Sequence, residues 1–136
     1  MSYALGAALQ GAVYQTLTSD GVLAGLIGDA VYDNAPAGVP PSLYAVLGAE
    51  EVFARNDKTG DGALHRFTVT VVSQEAGYQL GKTVAAAVSD ALHGATPAMD
   101  RGRVVSLNFE RARARRTGPE QRREIVLRFA ARVEDS

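Results

Sequence analysis

The sequence predicts an α+β fold: a mostly antiparallel sheet with helices packed on one face, in a single domain over residues 1–136. Three observations carry the prediction. Segments of helical and strand periodicity follow in the order αα, ββ, β, α, ββ, mixed but not strictly alternating. Each strand candidate has one strongly apolar side, whereas a doubly covered parallel sheet would show continuous apolar runs. Finally, Arg103–Glu134 reads as a hairpin: strand-like segments Arg103–Arg115 and Arg122–Glu134 flank the turn cluster Thr117-Gly118-Pro119-Glu120.

The elements follow from local pattern. Residues 3–18 form an amphipathic helix, with Leu5, Leu9, Ala12, Val13 and Leu17 at helical spacing and Ser2 suited to cap it. Asp20 suits the cap of a second, short helix carrying Leu23, Leu26 and Ile27, and Gly28 suits its exit. Val31-Tyr32-Asp33 is a short strand. Asn34 to Pro41 is a connection, because Pro40-Pro41 excludes helix and central-strand pairing. Ser42 to Gly48 is a strand with Leu43, Ala45 and Leu47 on one face.

Glu50 to Gly62 reads as a long polar loop or the flexible end of a hairpin. Leu64 to Ser73 is the clearest central strand, with Phe67, Val69 and Val71 facing one way and Arg66, Thr68 and Thr70 the other. Val72 breaks that pattern. Ala76 to His93 is the strongest helix, its apolar stripe made by Leu80, Val84, Ala87, Val88, Ala91 and Leu92. Ser73 suits its cap, Glu75 its first turn and Gly94 its exit.

In the last segment Ile125, Leu127, Phe129, Ala131 and Val133 alternate with mainly charged residues. In the preceding one, Val105, Leu107 and Phe109 share a face that continues as Arg111, Arg113 and Arg115. A buried arginine row is costly unless paired. The core is therefore expected to end near Phe109, with the hairpin projecting beyond it as a basic arm.

The totals bound the function. A chain of 136 residues, 46% hydrophobic, can bury a real core. It has no cysteine, which removes disulfides and thiolate metal sites. Net charge is −1, but residues 1–100 carry 4 basic and 10 acidic side chains and residues 101–136 carry 10 and 5. The small total argues against a general nucleic-acid binder, and the polarity argues for oriented contacts with neighbours. The start lacks a basic leader region and no apolar run approaches a membrane span, so a soluble intracellular protein is expected.

Motifs for chemistry are thin. Gly77-Tyr78-Gln79-Leu80-Gly81-Lys82-Thr83 resembles a phosphate-binding loop, but only three residues separate its glycines and Ala76 stands where the first glycine belongs. Leu80 fits the helix stripe, which puts Gly81-Lys82-Thr83 inside the helix with their N–H groups already used. Asp57-Lys58-Thr59-Gly60-Asp61-Gly62 resembles a calcium loop, yet Thr68 holds the twelfth position, where a glutamate is needed. His65 and His93 are isolated. Ser89, Asp90 and His93 share one helical turn, whereas a triad draws on separate elements. His93 reads as a helix C-terminal residue, where positive charge is favourable. The densest charge cluster is Arg111, Arg113, Arg115 and Arg116, with Arg122 and Arg123 across the turn. It reads as a solvated tip, a contact for acidic protein surfaces or a phosphate contact. No interleaved aromatic supports base stacking, and Glu110, Glu120 and Glu124 dilute the charge, so the protein contact is preferred.

The whole-chain order resembles the small tail-terminator (tail-completion) family of long-tailed phages and prophages, in particular the version in alphaproteobacterial gene transfer agents. The likeness is carried by Ala8 to Tyr14 through Leu26-Ile27-Gly28, by Val31-Tyr32-Asp33 with Pro36, and by Pro41 to Gly48. It continues through Leu64 to Val69 with the following helix, and through the arginine-rich strand Leu107 to Arg116. The resemblance implies a subunit of a hexameric ring that caps the finished tail tube and offers a docking face to the head connector or stopper. It implies no enzymatic activity, catalytic residue, metal or cofactor, and no membrane partner. Partners would be its own copies, the major tail tube protein, the connector, and DNA passing through the lumen unread. Assembly would be cytoplasmic, ending in a phage-like particle. Contacts are then expected from Arg111, Arg113, Arg115 and Arg116, and from Glu50, Glu51, Arg55, Asp57, Lys58 and Asp61 in the long loop. The alternatives are another ring or adaptor of the head–tail interface, a tube protein, a nucleotide-binding enzyme or a DNA-binding module.

Overall fold

Strand β3 (Gly62–Ser73) is the sheet's central strand in the computed structural model, which describes residues 3–34, 36–55, 62–74, 78–119 and 122–135. Before it come α1 (Gly6–Ser19), α2 (Gly21–Ile27), β1 (Val31–Tyr32) and β2 (Leu43–Ala54). After it come α3 (Gln79–Leu92), β4 (Arg103–Thr117) and β5 (Arg122–Glu134). The strands form one sheet in the order β1-β2-β3-β5-β4. The two-residue β1 runs parallel to β2 and every other pairing is antiparallel. Helices and one sheet face share one hydrophobic cluster, which is the expected α+β arrangement.

Three phenylalanines run across the sheet, Phe67 and Phe129 in the core and Phe109, 37% exposed, at its margin. Phe67, Phe129 and Phe109 lie in register across β3, β5 and β4. Phe67 and Phe129 stack at 5.6 Å, and Phe109 meets Phe129 edge-on at 5.9 Å. Leu9, Val13 and Leu17 of α1 and Val84, Val88 and Leu92 of α3 close over Val69, Val71, Leu127 and Val133. Burying each such side chain contributes about 1.5–3 kcal/mol. A smaller cluster of Ala30, Tyr44 and Val72 accounts for the break in β3's alternation at Val72.

Local signals act as expected around α2. The Asp20 carboxylate accepts the Leu23 N–H at 2.9 Å, and Gly28 leaves the helix with φ 61°. At α1 Leu5 holds the N-cap position without a side-chain bond, and Ser2 lies outside the described residues.

Four expectations are corrected. In α3 the stripe is rotated: Leu80 is 42% exposed, and Gly81 faces the sheet instead. A Cβ on Gly81 would lie 3.5 Å from Ile125 and 3.7 Å from Ser73, so the small residue marks the helix's closest approach. The residue capping α3 is Tyr78, whereas Ser73 is buried at the end of β3. In β2, Glu50 to Ala54 are strand, so the long-loop reading fails and the hairpin reading holds for them: they pair with Phe67 to Ala63 after an irregularity between Leu47 and Glu50. A neighbouring strand satisfies their backbone groups, which outweighs their polar composition.

The fourth correction concerns β4. Its register to β5 shifts between Val104 and Ser106, and again between Phe109 and Arg111. Each shift inserts one residue and reverses the alternation beyond it. Val104 and Leu107 are therefore buried, while Val105 is 37% exposed.

Candidate inter-subunit surface

The second shift decides where the arginines point. Ala112 pairs with buried Leu127 and Ala114 with buried Ile125, so these alanines take the helix-covered side. Arg111, Arg113 and Arg115 pair with Arg128, Val126 and Glu124 and take the open face of the sheet. They do not continue the Phe109 face, and the costly buried row never arises. Nor does the hairpin project freely: β4 stays paired with β5 to Thr117, and β5 stays paired with β3 as far as Arg123 and Ser73. The expected arm is instead a long basic edge strand, its outer side without a neighbouring strand.

Charge is balanced along only part of this edge. The Glu110 carboxylate accepts from Arg66 Nε and Arg128 Nε, both at 3.2 Å. Arg115 donates to Glu124 at 3.1 Å, and Arg122 approaches the same carboxylate at 3.4 Å. Exposed pairs of this kind stabilise by about 0.2–1 kcal/mol each. Arg111, Arg113 and Arg116 are exposed and meet no carboxylate among the described residues. On the ladder Arg116 lies opposite Arg123, whose guanidinium is 5.5 Å from the Tyr78 ring.

Of the other expected contact residues, Glu50 and Glu51 sit across the sheet on β2 and Arg55 directly follows it. Glu50 is turned inward. One carboxylate oxygen lies 3.0 Å from Nδ1 of fully buried His65, and the other accepts the Tyr3 hydroxyl. The Tyr3 ring stacks on His65 at 6.2 Å. That hydrogen bond to Glu50, then the carboxylate's charge, then burial raise the Tyr3 phenol above its ordinary value. Glu51 is exposed opposite Arg66. Arg55 is exposed, donates to the Ala54 carbonyl at 2.9 Å and lies 5.7 Å from the Phe53 ring. Asp57, Lys58 and Asp61 lie outside the described residues.

Among the described residues the fold thus keeps the two expected groups apart, Glu50 and Glu51 on β2 and the arginines on β4, with β3 and β5 between them. It brings together a set the sequence reading missed: Tyr3, Glu50 and His65. The available signal was parity, since His65 falls on the same face of β3 as Phe67, Val69 and Val71.

The described part of the phosphate-loop lookalike is helix. The Lys82 N–H donates to the Tyr78 carbonyl at 2.8 Å, and Lys82 Nζ sits 5.6 Å from the Tyr78 ring. Gly77 and most of the calcium-loop lookalike lie outside the described residues. His93 is the C-cap of α3, as expected, and its Nδ1 accepts the Phe109 N–H. Among the described residues no group of three His, Asp or Glu is arranged to hold a metal, and no helix is long and apolar enough to cross a membrane.

An open-edged sheet with charge concentrated along one edge, and no metal-binding group among the described residues, fits the class of structural assembly subunits. Comparison with known proteins makes it particular. The profile of the tail completion protein gp17 family matches residues 11–134, and the chain belongs to that family. It is also similar to a chain in a solved structure described as the virion of a native gene transfer agent particle. The two share 52% identity with a TM-score of 0.92, covering 98% of this chain and 99% of that one. No match is found among curated proteins. The protein's role is accordingly structural, that of a tail terminator.

Proposed function

We propose that this protein closes into a ring, a hexamer by family resemblance, that caps the tail tube of a gene-transfer-agent particle and joins it to the head connector. The observation that carries the reading is the near full-length likeness to a chain of such a virion. The sheet supports it physically. Its two edges, β1 and β4, differ in length and charge, which suits head-to-tail contacts between copies, and such contacts close into a ring when the rotation between neighbours allows it. Partners would be its own copies, the major tail tube protein and the connector or stopper. DNA would pass through the lumen without being read. Assembly would take place in the cytoplasm, no cofactor would be needed and no reaction catalysed.

Within this reading Arg111, Arg113, Arg115 and Arg116 contact a neighbouring subunit or the tube. Glu51 on β2 and Arg55 just after it form a second contact region, to which Asp57, Lys58 and Asp61 would contribute. Glu50 supports that region from inside through His65.

The test is the mass of the purified protein, alone and with tail tubes, followed by imaging. The expected result is a ring at the junction of capsid and tube. Absence from that junction overturns the reading, and unaided growth into long filaments would assign the chain to the tube instead. Reversing Arg111, Arg113 and Arg115 to glutamate is expected to weaken assembly, and normal rings from that variant would remove the arginine edge from the interface.

A further inference from the structure

We propose that an open groove between α1 and β1 is the seat for the arginine edge of a second copy. The inference rests on the ring reading above and names the surfaces that meet. The groove is about 590 Å³. Tyr3, Tyr14 and Tyr32 line it, with Gly11 and Asp33. Tyr3 and Tyr14 are exposed aromatic side chains in this chain. At Gly11 an added Cβ would meet nothing within 4 Å, although glycine inside a helix costs about 1 kcal/mol against alanine. The helix surface facing the groove is thus open at Gly11.

Charge identifies the occupant. Residues 1–54 contain Asp20, Asp29, Asp33, Glu50 and Glu51 and no lysine, arginine or histidine. Every residue lining the groove comes from that stretch, so no cation of its own lines it. Arg111, Arg113 and Arg116 are exposed and lack carboxylate partners among the described residues. Guanidinium groups bind tyrosine faces and carboxylates together, with cation–π contacts worth about 0.5–1 kcal/mol at exposed sites. The groove supplies both kinds of partner.

Topology identifies the source as another copy. β1 and β4 are the opposite edges of the sheet, so a chain cannot lay its own arginines into its own groove. Two residues of β1 are too few to extend a ladder with the fifteen of β4, so side chains carry the recognition.

The chain has no cysteine, which permits a direct test. Tyr14→Cys and Arg113→Cys proteins, mixed and assembled with tail tubes, are treated with a short bis-maleimide. The expected product is a covalent dimer, absent when exposed Val39→Cys replaces Tyr14→Cys. Both variants present in assembled rings without a dimer above that control overturn the seat and leave the ring reading intact. Wild-type protein missing from the junction overturns both. Gly11→Arg, at a position open to solvent, is expected to weaken ring formation at least tenfold, and Arg113→Glu in the same chain to restore it. Wild-type assembly by Gly11→Arg, or a small molecule held in the groove of intact rings, also overturns the seat.

Discussion

Nδ1 of His93 accepts the backbone N–H of Phe109 at 3.0 Å, joining the end of α3 to the point where β4 changes face. Next to it, the Gly94 N–H donates to the Leu107 carbonyl at 2.7 Å. The helix exit and the base of the arginine edge are therefore one unit. Because β4 is the edge strand, the outward N–H of Phe109 has no strand partner, and the imidazole takes it up.

His93→Ala is expected to lower stability by about 1 kcal/mol, the usual net worth of such a bond. Amide exchange at Phe109 should accelerate more than at Leu127 on the neighbouring strand. Denaturant midpoints and hydrogen exchange check this, and unchanged protection at Phe109 would remove the tie from the account.

Glu50 holds a fully buried imidazole from 15 residues away. Glu50→Ala leaves Nδ1 of His65 without its partner and should cost about 1–3 kcal/mol. Glu50→Gln keeps a hydrogen-bonding group and should cost less. Equal losses for the two variants, read by denaturant unfolding, would mean the carboxylate is not what His65 needs.

Tyr3 carries a pH signature. Its phenol is raised above the ordinary 10.0, first because it donates to Glu50 and then because the carboxylate repels phenolate. A proton held more tightly in the folded state stabilises fully below the ordinary value. That contribution is lost as pH rises through the raised one. Tyr3→Phe should therefore narrow the difference from wild type only in strongly alkaline solution. Ultraviolet titration should show one tyrosine ionising late, and its persistence in Tyr3→Phe would refute the assignment.

Adjacent valines test the first register shift. Val104 is buried and Val105 is not. Val104→Ala should cost about 2 kcal/mol, as removal of buried methyl groups does. Val105→Ala should stay within about 0.5 kcal/mol. The reverse order, measured by thermal or denaturant unfolding, would mean that β4 alternates without interruption.

Element types were legible because each rests on local repetition. Leu5, Leu9, Val13 and Leu17 recur at the helical period, and Ile125 to Val133 recur at the strand period. The Asp20 cap and the Gly28 exit are likewise local. The face of the arginines was not legible. One inserted residue near Glu110 moves Arg111, Arg113 and Arg115 to the opposite side, and it has no compositional mark. The phase of α3 was hidden similarly, because Gly81 earns its inward place only from the closeness of Ile125 and Ser73.

The order of helices and strands, the separation of acidic and basic halves and the absence of a metal-ligand or nucleophile pattern were determined by the sequence alone. These are sums or repeats over neighbouring residues, and they do not depend on what lies across the fold. The partner of Glu50, the open side chosen by the arginines and the tyrosine groove at the far edge were decided by tertiary structure. Each depends on register between strands distant in the chain, where a shift of one residue exchanges inside for outside.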